Sequence, residues 1–443
     1  MRYLAVLLAV LAFAGPAAAT PKRALLASVA TQTLQGSTID DNYALGQCAE
    51  NASTGVLHPV PCATHITGTG GTVTGTGATG SYVTNADGSL SLRTAAPRIG
   101  TQGLLVEQAS SNVSYYSQAF SNWTNVGGGD SWQSTTALAP DGTNTAGVFL
   151  QSANAGVGHY VDYTATSITY SAAAYTMSVY VKPGNQSYVQ LAGAASAGSP
   201  YANFNLTGAG SVTASGLVTS TFITQSSGGW YRVGFTWTAS ASTTYGAVIA
   251  FISTPTDGRL TTFAGNGTST IQVWGVQIET GTFPTSYIPT TSAPVTRAAD
   301  VVTLAGAAAS AFYQWPISAR FVTNGIVKDA TSDRLLSWNT GNQGFAGSGG
   351  QQLNYNASII GTYSTGNWQG LTRSVWTLSS SNISAAANGS AVQGPLAGSY
   401  TNSGTIQLGD INTSTRTING YISRLTLWPY ALPSAVMQSL SAQ

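Results

Sequence analysis

Four aromatic side chains lie in polar, loop-like surroundings where they could contact a ligand. Trp123 lies in the run SNWTN, Trp132 follows GGGDS, Tyr201 follows a proline, and Trp368 lies in GNWQG. An aromatic ring packs against the apolar C–H face of a pyranose, while amide and carboxyl groups hydrogen-bond the sugar hydroxyls. We therefore take these four residues as candidates for glycan binding, the alternative being that they cover the edge of a sheet.

The ionisable side chains do not predict a catalytic centre. A glycosidase needs two carboxylates on either side of one glycosidic bond. Asp329 and Asp333 are the only closely spaced acids in a segment expected to be folded, and we interpret them as loop residues, whereas Asp40 and Asp41 lie in an N-terminal segment expected to be unstructured. His159 lies on a predicted strand and is interpreted as structural, and no G-x-S-x-G or H-E-x-x-H motif occurs. We expect a protein that is not an enzyme, with no catalytic residue and no cofactor.

Two glutamates offer a metal-binding hypothesis. Glu107 and Glu279 are predicted to lie on the first and last strands of one sandwich, where carboxylates and backbone carbonyls could hold Ca²⁺. The alternative is that both carboxylates face solvent or pair with Arg297. We favour that alternative and expect no metal site.

The two cysteines, Cys48 and Cys62, predict one disulfide that closes a small loop if the protein is exported. His58 and His65 lie nearby, so a Cys-Cys-His-His zinc site stays open as an alternative. The disulfide is favoured because the cysteines do not form a C-x-x-C pair.

The composition excludes several classes of partner. Charged residues make up 7% of the chain, with 15 Lys and Arg against 14 Asp and Glu, so no basic face is available for nucleic acid or anionic lipid. Hydrophobic residues nevertheless make up 43%, which is enough to form cores, and the 51 glycines indicate many tight turns. The predicted class is all-β.

The N-terminus resembles an export signal. Arg2 precedes an apolar stretch at 3–13, and three alanines at 17–19 form a small-residue cleavage site, which predicts a signal peptide at 1–19. The apolar stretch is too short to span a bilayer, so we expect no membrane span and an extracellular or virion-surface location. Residues 66–81 are almost wholly Thr and Gly, and we interpret 20–97 as a linker or a trimerising fibre stalk.

Alternating apolar and polar residues predict antiparallel strands further along the chain. Clear examples occur at 175–182, 230–238 and 271–279, with turn signals between them. The proline-rich segment 283–300 is expected to run along the surface and to close one domain. A short helix over 435–440, capped by Ser434, is predicted to end the chain.

The central part of the chain resembles the domains of phage head-spike and tail-fibre proteins, which look like carbohydrate-binding modules with a jelly-roll fold. The resemblance spans about 200 residues with its blocks in order. The blocks are 103–107 (GLLVE), Asn112, 116–123 (YSQAFSNW), 139–143 (APDGT), 175–184, 229–232 (GWYR), 271–279, 283–290 (FPTSYIPT) and 295–300 (VTRAAD).

The C-terminal part is similar, more weakly, to concanavalin A-like or laminin-G-like sandwiches. The similarity rests on 406–409 (IQLG) and 420–429 (GYISRLTLWP), followed by a short helix. It implies a second lectin-like sandwich.

These observations together predict two antiparallel β-sandwich domains, a jelly roll at 98–300 and a lectin-like sandwich at 301–443. The expected function is adhesion to a host surface polysaccharide, strengthened by multivalency on a homo-trimer or through a virion attachment partner. The alternatives are a structural spacer that decorates a capsid or cell surface without a ligand, and a secreted glycan-active enzyme.

Overall fold

The structure of the protein is a computed structural model. It describes residues 37, 39–50, 58–69, 73–74, 81–93, 96–325, 333–338, 343–348, 352–355, 358–362, 371–397, 405–409 and 417–443. The predicted signal peptide, Asp329 and Trp368 lie outside the described residues. Nearly all of the regular structure is antiparallel β-sheet, which confirms the predicted class.

The described residues of the N-terminal part form nine strands. They are β1 (Ile39–Asn42), β2 (Gln47–Glu50), β3 (His58–Val60), β4 (Ile66–Thr69), β5 (Val73–Thr74), β6 (Ser81–Thr84), β7 (Leu90–Arg93), β8 (Arg98–Gly100) and β9 (Gly103–Val106).

The middle of the chain, which we call the inserted sandwich (residues 110–297), consists of two six-stranded sheets and four further strands that belong to two smaller sheets. Its strands are β10 (Ser110–Asn112), β11 (Asn125–Val126), β12 (Ser131–Ala137), β13 (Ala146–Leu150), β14 (Tyr160–Asp162), β15 (Ile168–Tyr170), β16 (Ala174–Pro183), β17 (Tyr188–Ala192), β18 (Tyr201–Asn205), β19 (Ser211–Gly216), β20 (Ser220–Gln225), β21 (Tyr231–Thr238), β22 (Ser242–Thr244), β23 (Val248–Ala250), β24 (Thr270–Thr280) and β25 (Val295–Arg297).

The C-terminal part adds further strands and two short α-helices. They are β26 (Val301–Leu304), α1 (Gly306–Phe312), β27 (Ile317–Asn324), β28 (Asp333–Trp338), β29 (Gln343–Ser348), β30 (Gln352–Tyr355), β31 (Ser358–Thr362), β32 (Thr372–Leu378), β33 (Asn382–Ala387), β34 (Gln393–Ala397), β35 (Gln407–Leu408), β36 (Gly420–Trp428) and α2 (Ser434–Ala442). Neither helix, among the described residues, is long and apolar enough to cross a membrane.

The two sheets of the inserted sandwich enclose one apolar core. The sheets have the orders β11-β14-β23-β17-β18-β19 and β12-β13-β24-β16-β21-β20. Alternate residues of β16 and β21, such as Met177, Val179 and Phe235, face inward and are buried, as the apolar alternation predicts. The strands predicted from alternation in this region are therefore present.

The second sandwich, which we call the composite sandwich, is built from both ends of the described chain. One sheet has the order β3-β2-β1-β36-β27-β32-β33-β34, with β9 also paired to β36, and the other has the order β31-β30-β29-β28-β35-β26-β4. Ile39, Tyr43 and Ile66 from the N-terminal part are buried in the same core as Phe321 and Trp376. The inserted sandwich therefore interrupts the sequence of the composite sandwich, whose strands come from both before and after it.

This topology corrects the prediction that 20–97 is a stalk or linker. The Thr- and Gly-rich run has few apolar side chains, but its first residues, β4, pair along their whole length with β26. Backbone hydrogen bonds in a ladder do not depend on side-chain identity. The predicted start of the jelly roll at 98 is also wrong, because β8 and β9 belong to the composite sandwich.

The hairpin β6–β7 lies against the outer face of the inserted sandwich. Tyr82 packs edge-on against Trp274 at 6.0 Å between ring centroids and lies 5.5 Å from Tyr287. Tyr287 and Ile288 are themselves buried. The proline-rich segment was predicted to run along the surface, but it lies under the hairpin, because its aromatic and aliphatic side chains supply apolar surface between the layers.

The C-terminal helix is present but its predicted cap is not. Ser434 is the first helical residue, and Pro433 occupies the N-cap position without a side-chain hydrogen bond.

Candidate ligand-binding site

A cleft of about 540 Å³ lies where the β6–β7 hairpin meets the β20–β21 edge of the inserted sandwich. Three parts of the chain form it: the hairpin turn, the β8–β9 turn and the loop between β20 and β21. Its lining combines amide, carboxyl and aromatic side chains, the main ones being Asn85, Asp87, Gln102, Gln225, Trp230 and Tyr231.

The hairpin turn is held in place by its own side chains. Asp87 Oδ1 accepts hydrogen bonds from the Ser89 backbone N–H at 3.0 Å and from the Ser89 hydroxyl at 2.7 Å. Asn85 Nδ2 donates to the hydroxyls of Ser89 and Ser91 at 3.0 and 2.9 Å. The short polar side chains thus build a rigid turn, which is the chemistry expected of Asn, Asp and Ser at such positions.

A glycine at the tip allows the turn to contact the inserted sandwich directly. Gly88 has a φ of +78°, and a Cβ there would lie 2.6 Å from the Ser226 Cα. The Ser226 hydroxyl donates a hydrogen bond to the Gly88 carbonyl oxygen. The two walls of the cleft are therefore joined by backbone contact, so the site is formed without a ligand.

The floor of the cleft is aromatic. Trp230 and Tyr231 are buried, with the indole N–H donating to the Leu138 carbonyl at 3.1 Å and the phenol donating to the Gly208 carbonyl at 2.8 Å. Their polar atoms are thus occupied within the protein. With 2% and 6% of their surfaces exposed, the two residues close the base of the cleft and offer almost no ring face to a ligand.

The rim carries one formal charge. Hydrogen bonds from the Ser89 hydroxyl and backbone N–H lower the pKa of Asp87, so its carboxylate is ionised at neutral pH. Among the described lining residues, Asp87 is the only charged one. A ligand that donates hydrogen bonds through hydroxyls suits this rim, because carboxylate and amide oxygens can accept them.

The residues singled out from sequence lie elsewhere. Trp123 is 1% exposed, and its indole N–H donates to the Tyr116 carbonyl at 3.1 Å, so its ring is part of the core and cannot serve as a sugar platform. Trp132 is half-buried and stacks on Phe120 at 4.8 Å. Tyr201 is half-buried on β18, with its ring over Gly216. The structure brings none of these residues together in the cleft.

Glu107 and Glu279 do not form a calcium site. Glu107 is buried against Arg98 at 2.8 Å and Arg297 at 3.4 Å, and Glu279 accepts hydrogen bonds from Ser110 and Thr285. Both carboxylates are therefore neutralised or hydrogen-bonded within the protein, and pairing with Arg297 is observed for Glu107.

Glu107 belongs to a buried ionic cluster that joins the two sandwiches, which we call the junction cluster (Arg98, Glu107, Ser286, Arg297 and Asp300). Arg98 forms a bidentate ion pair with Asp300 and donates a hydrogen bond to the Ser286 hydroxyl at 2.6 Å. Burial alone would raise the pKa of Glu107, but the charges of Arg297 and Arg98 and the Ser286 hydroxyl lower it to about 2.

The N-terminal acids, expected to be unstructured, are ordered and paired. Asp40 forms an ion pair with Arg424 at 2.6 Å, and Asp41 contacts His65 Nδ1 at 2.7 Å. The structure contains the Cys48–Cys62 disulfide. Donor atoms of Asp41, Cys48 and His65 lie within 4.8 Å of one another, but the oxidised Cys48 offers no thiolate to a metal.

His159 is buried, and its Nδ1 contacts Asp130 Oδ1 at 2.7 Å. The same oxygen accepts the Ser152 backbone N–H at 2.7 Å. The histidine thus anchors two loops at one end of the inserted sandwich, in agreement with a structural role.

Sequence reasoning missed the residues that line the cleft. The run NADGS at 85–89 is a recognisable turn signal. Nothing local indicates that this turn would contact Ser226, which is 138 positions away.

The comparisons with known proteins give weak structural similarities only. No family model matches the sequence, and no curated protein matches it. A Trypanosoma rangeli sialidase in complex with the inhibitor DANA is 9% identical, with a TM-score of 0.25, and the match covers 71% of this chain and 53% of the sialidase. The chain thus spans about half of that sialidase. Domains LG4-5 of the mouse laminin alpha1 chain are 11% identical, with a TM-score of 0.20, covering 68% of this chain and 94% of theirs. At these scores neither similarity carries an argument about function.

Proposed function

We propose that the protein is a non-enzymatic glycan-binding protein, and that the cleft between the hairpin and the inserted sandwich holds the saccharide. The observation that carries this proposal is the polar lining of the cleft, which brings together the amide and carboxyl groups of Asn85, Asp87, Gln102 and Gln225. A sugar carries several hydroxyls, and these groups can form hydrogen bonds with them.

The charge of the cleft favours a neutral saccharide. The carboxylate of an acidic sugar would meet Asp87, and none of the described lining residues is cationic. The cleft is also small and open, so the affinity of one site is expected to be modest. Several copies on one surface would raise the effective affinity.

The biological setting is proposed from the sequence. The resemblance to phage head-spike and tail-fibre domains supports a virion component that recognises a surface polysaccharide of the host. The N-terminal apolar stretch supports export to the cell surface instead. In either setting the protein would act as an adhesin and not as an enzyme.

The test is a glycan array probed with the full chain, carrying neutral and acidic polysaccharides. Gln225→Ala removes an exposed amide from the rim, and Gln133→Ala, which removes an exposed amide from β12, is the matched control. We expect Gln225→Ala to weaken binding about two- to tenfold, as for the loss of one hydrogen bond, and Gln133→Ala to bind as the unaltered chain does. If both variants bind glycan equally well, the cleft is not the binding site. If the folded chain binds none of the glycans, the structural spacer is favoured.

A further inference from the structure

A second aromatic surface lies on the inserted sandwich, outside the cleft. Tyr115 and Tyr116 follow β10, and Tyr163 follows β14. The rings of Tyr115 and Tyr163 stack at 5.8 Å with an interplanar angle of 28°, and Tyr116 meets Tyr163 at 5.4 Å with an angle of 66°. We call these three residues the tyrosine platform.

The platform is at the surface but is rigidly supported. All three tyrosines are half-buried, and the buried Trp123 lies below Tyr163 at 6.4 Å between ring centroids. The buried indole therefore supports the half-buried rings from the side of the core.

The backbone of Tyr116 is held in an unfavourable conformation. Its φ of +48° lies in the left-handed region, which costs a non-glycine residue free energy. Its N–H donates to the Thr291 carbonyl at 2.7 Å, and its carbonyl accepts the Ala119 N–H at 3.2 Å and the Trp123 indole at 3.1 Å. The surrounding chain thus holds this backbone conformation of Tyr116 in place.

The chemistry of the platform matches a neutral ring. The segments 113–126 and 163–172 contain no charged residue. The Tyr163 phenol shares a hydrogen bond with Thr166 at 3.2 Å. Within the described part of the chain, the phenols of Tyr115 and Tyr116 have no hydrogen-bond partner, so both can bond to sugar hydroxyls at the edge of a stacked ring.

We propose that the tyrosine platform is a second saccharide-binding site, which takes a neutral pyranose by stacking on the ring of Tyr115. It differs from the cleft in chemistry, because stacking contributes most of the interaction here and hydrogen bonds from amides contribute most in the cleft. Two sites on one chain would let a single molecule bind two points of one polysaccharide.

The experiment measures binding of the full chain to three immobilised neutral polysaccharides, a glucan, a mannan and a galactan. Tyr115→Ala removes the ring that stacks on Tyr163, Tyr115→Phe keeps the ring without the hydroxyl, and Tyr188→Ala removes a half-buried tyrosine at the start of β17 as the matched control. An unchanged melting temperature shows that each variant is folded.

We expect Tyr115→Ala to weaken binding about three- to tenfold, Tyr115→Phe to weaken it less because the ring is kept, and Tyr188→Ala to bind as the unaltered chain does. The proposal is overturned if Tyr115→Ala binds normally, if Tyr115→Phe loses as much as Tyr115→Ala, or if no polysaccharide binds. Gln225→Ala distinguishes the two sites. If only Tyr115→Ala weakens polysaccharide binding, the platform is supported and the cleft is not. If only Gln225→Ala weakens it, the cleft is supported and the platform is not.

Discussion

The junction cluster makes a quantitative prediction for the variant Glu107→Gln. In the native protein Glu107 Oε2 accepts from Arg98 at 2.8 Å and from the Ser286 hydroxyl at 2.6 Å, while Oε1 accepts from the Ser286 backbone N–H at 2.8 Å. The substitution keeps the shape of the side chain but removes its charge. Arg98 and Arg297 then keep Asp300, with Glu279 as a further carboxylate near Arg297, but the cluster has lost one of its buried negative charges.

The size of the effect follows from the pKa of Glu107. Its fall from an ordinary 4.5 to about 2 corresponds to about 3 kcal/mol of folding free energy. Removing one partner of a buried ion pair lowers the free energy of unfolding by a similar amount, about 3–5 kcal/mol. We expect Glu107→Gln to lower the free energy of unfolding at pH 7 by about 3 kcal/mol.

The sign of the pH dependence follows from the direction of the shift. Because the folded-state pKa is lowered, the contribution of Glu107 is present above pH 4.5 and is lost as the pH falls toward about 2. The stability of the native protein should therefore fall across this window more steeply than that of Glu107→Gln. The two should approach each other near pH 2.

The assay is urea unfolding monitored by tryptophan fluorescence at several pH values from 7 to 2. A second variant, Glu107→Gln with Arg297→Met, restores the charge balance of the cluster and should recover part of the lost stability. The reasoning is refuted if Glu107→Gln unfolds within about 1 kcal/mol of the native protein at pH 7, or if both proteins lose stability equally on acidification.

Three further predictions concern folding. Reduction of the Cys48–Cys62 disulfide, or its replacement by two serines, should lower the free energy of unfolding by about 3 kcal/mol, which thermal unfolding with and without a dithiol would measure. A chain of residues 98–443 lacks β1–β7 and should expose the core of the composite sandwich and the face that the β6–β7 hairpin covers, seen as strong binding of a hydrophobic dye; normal cooperative unfolding of this chain would contradict the topology. Trp123→Ala should cost about 3–5 kcal/mol because it leaves a cavity, whereas a stable variant would mean that the indole is not a core residue.

The amino-acid sequence determined the class of the protein and many of its strands. In β16, β21 and β24 apolar residues alternate with polar ones, and this period of two is a property of the extended backbone itself. The low content of charged residues and the abundance of glycine also indicated this class. These signals are local, so they can be recognised without knowing which strands pair.

Only the tertiary structure decided how the strands are shared between the sandwiches. β4 pairs with β26 across more than half of the chain, although its Thr and Gly residues resemble a linker. Arg98 and Asp300 lie 202 positions apart, yet they form one buried pair. Pairing of this kind rests on backbone hydrogen bonds and on charges that must be neutralised when buried, and neither leaves a periodic pattern in sequence.

The two candidate binding surfaces were also decided by the tertiary structure. Trp123 was a candidate for glycan binding, but its indole is buried, whereas the half-buried Tyr115, Tyr116 and Tyr163 were not among the candidates. The cleft depends on the contact between Gly88 and Ser226. A residue's exposure is set by what packs over it, and in this protein the covering segments come from distant parts of the chain.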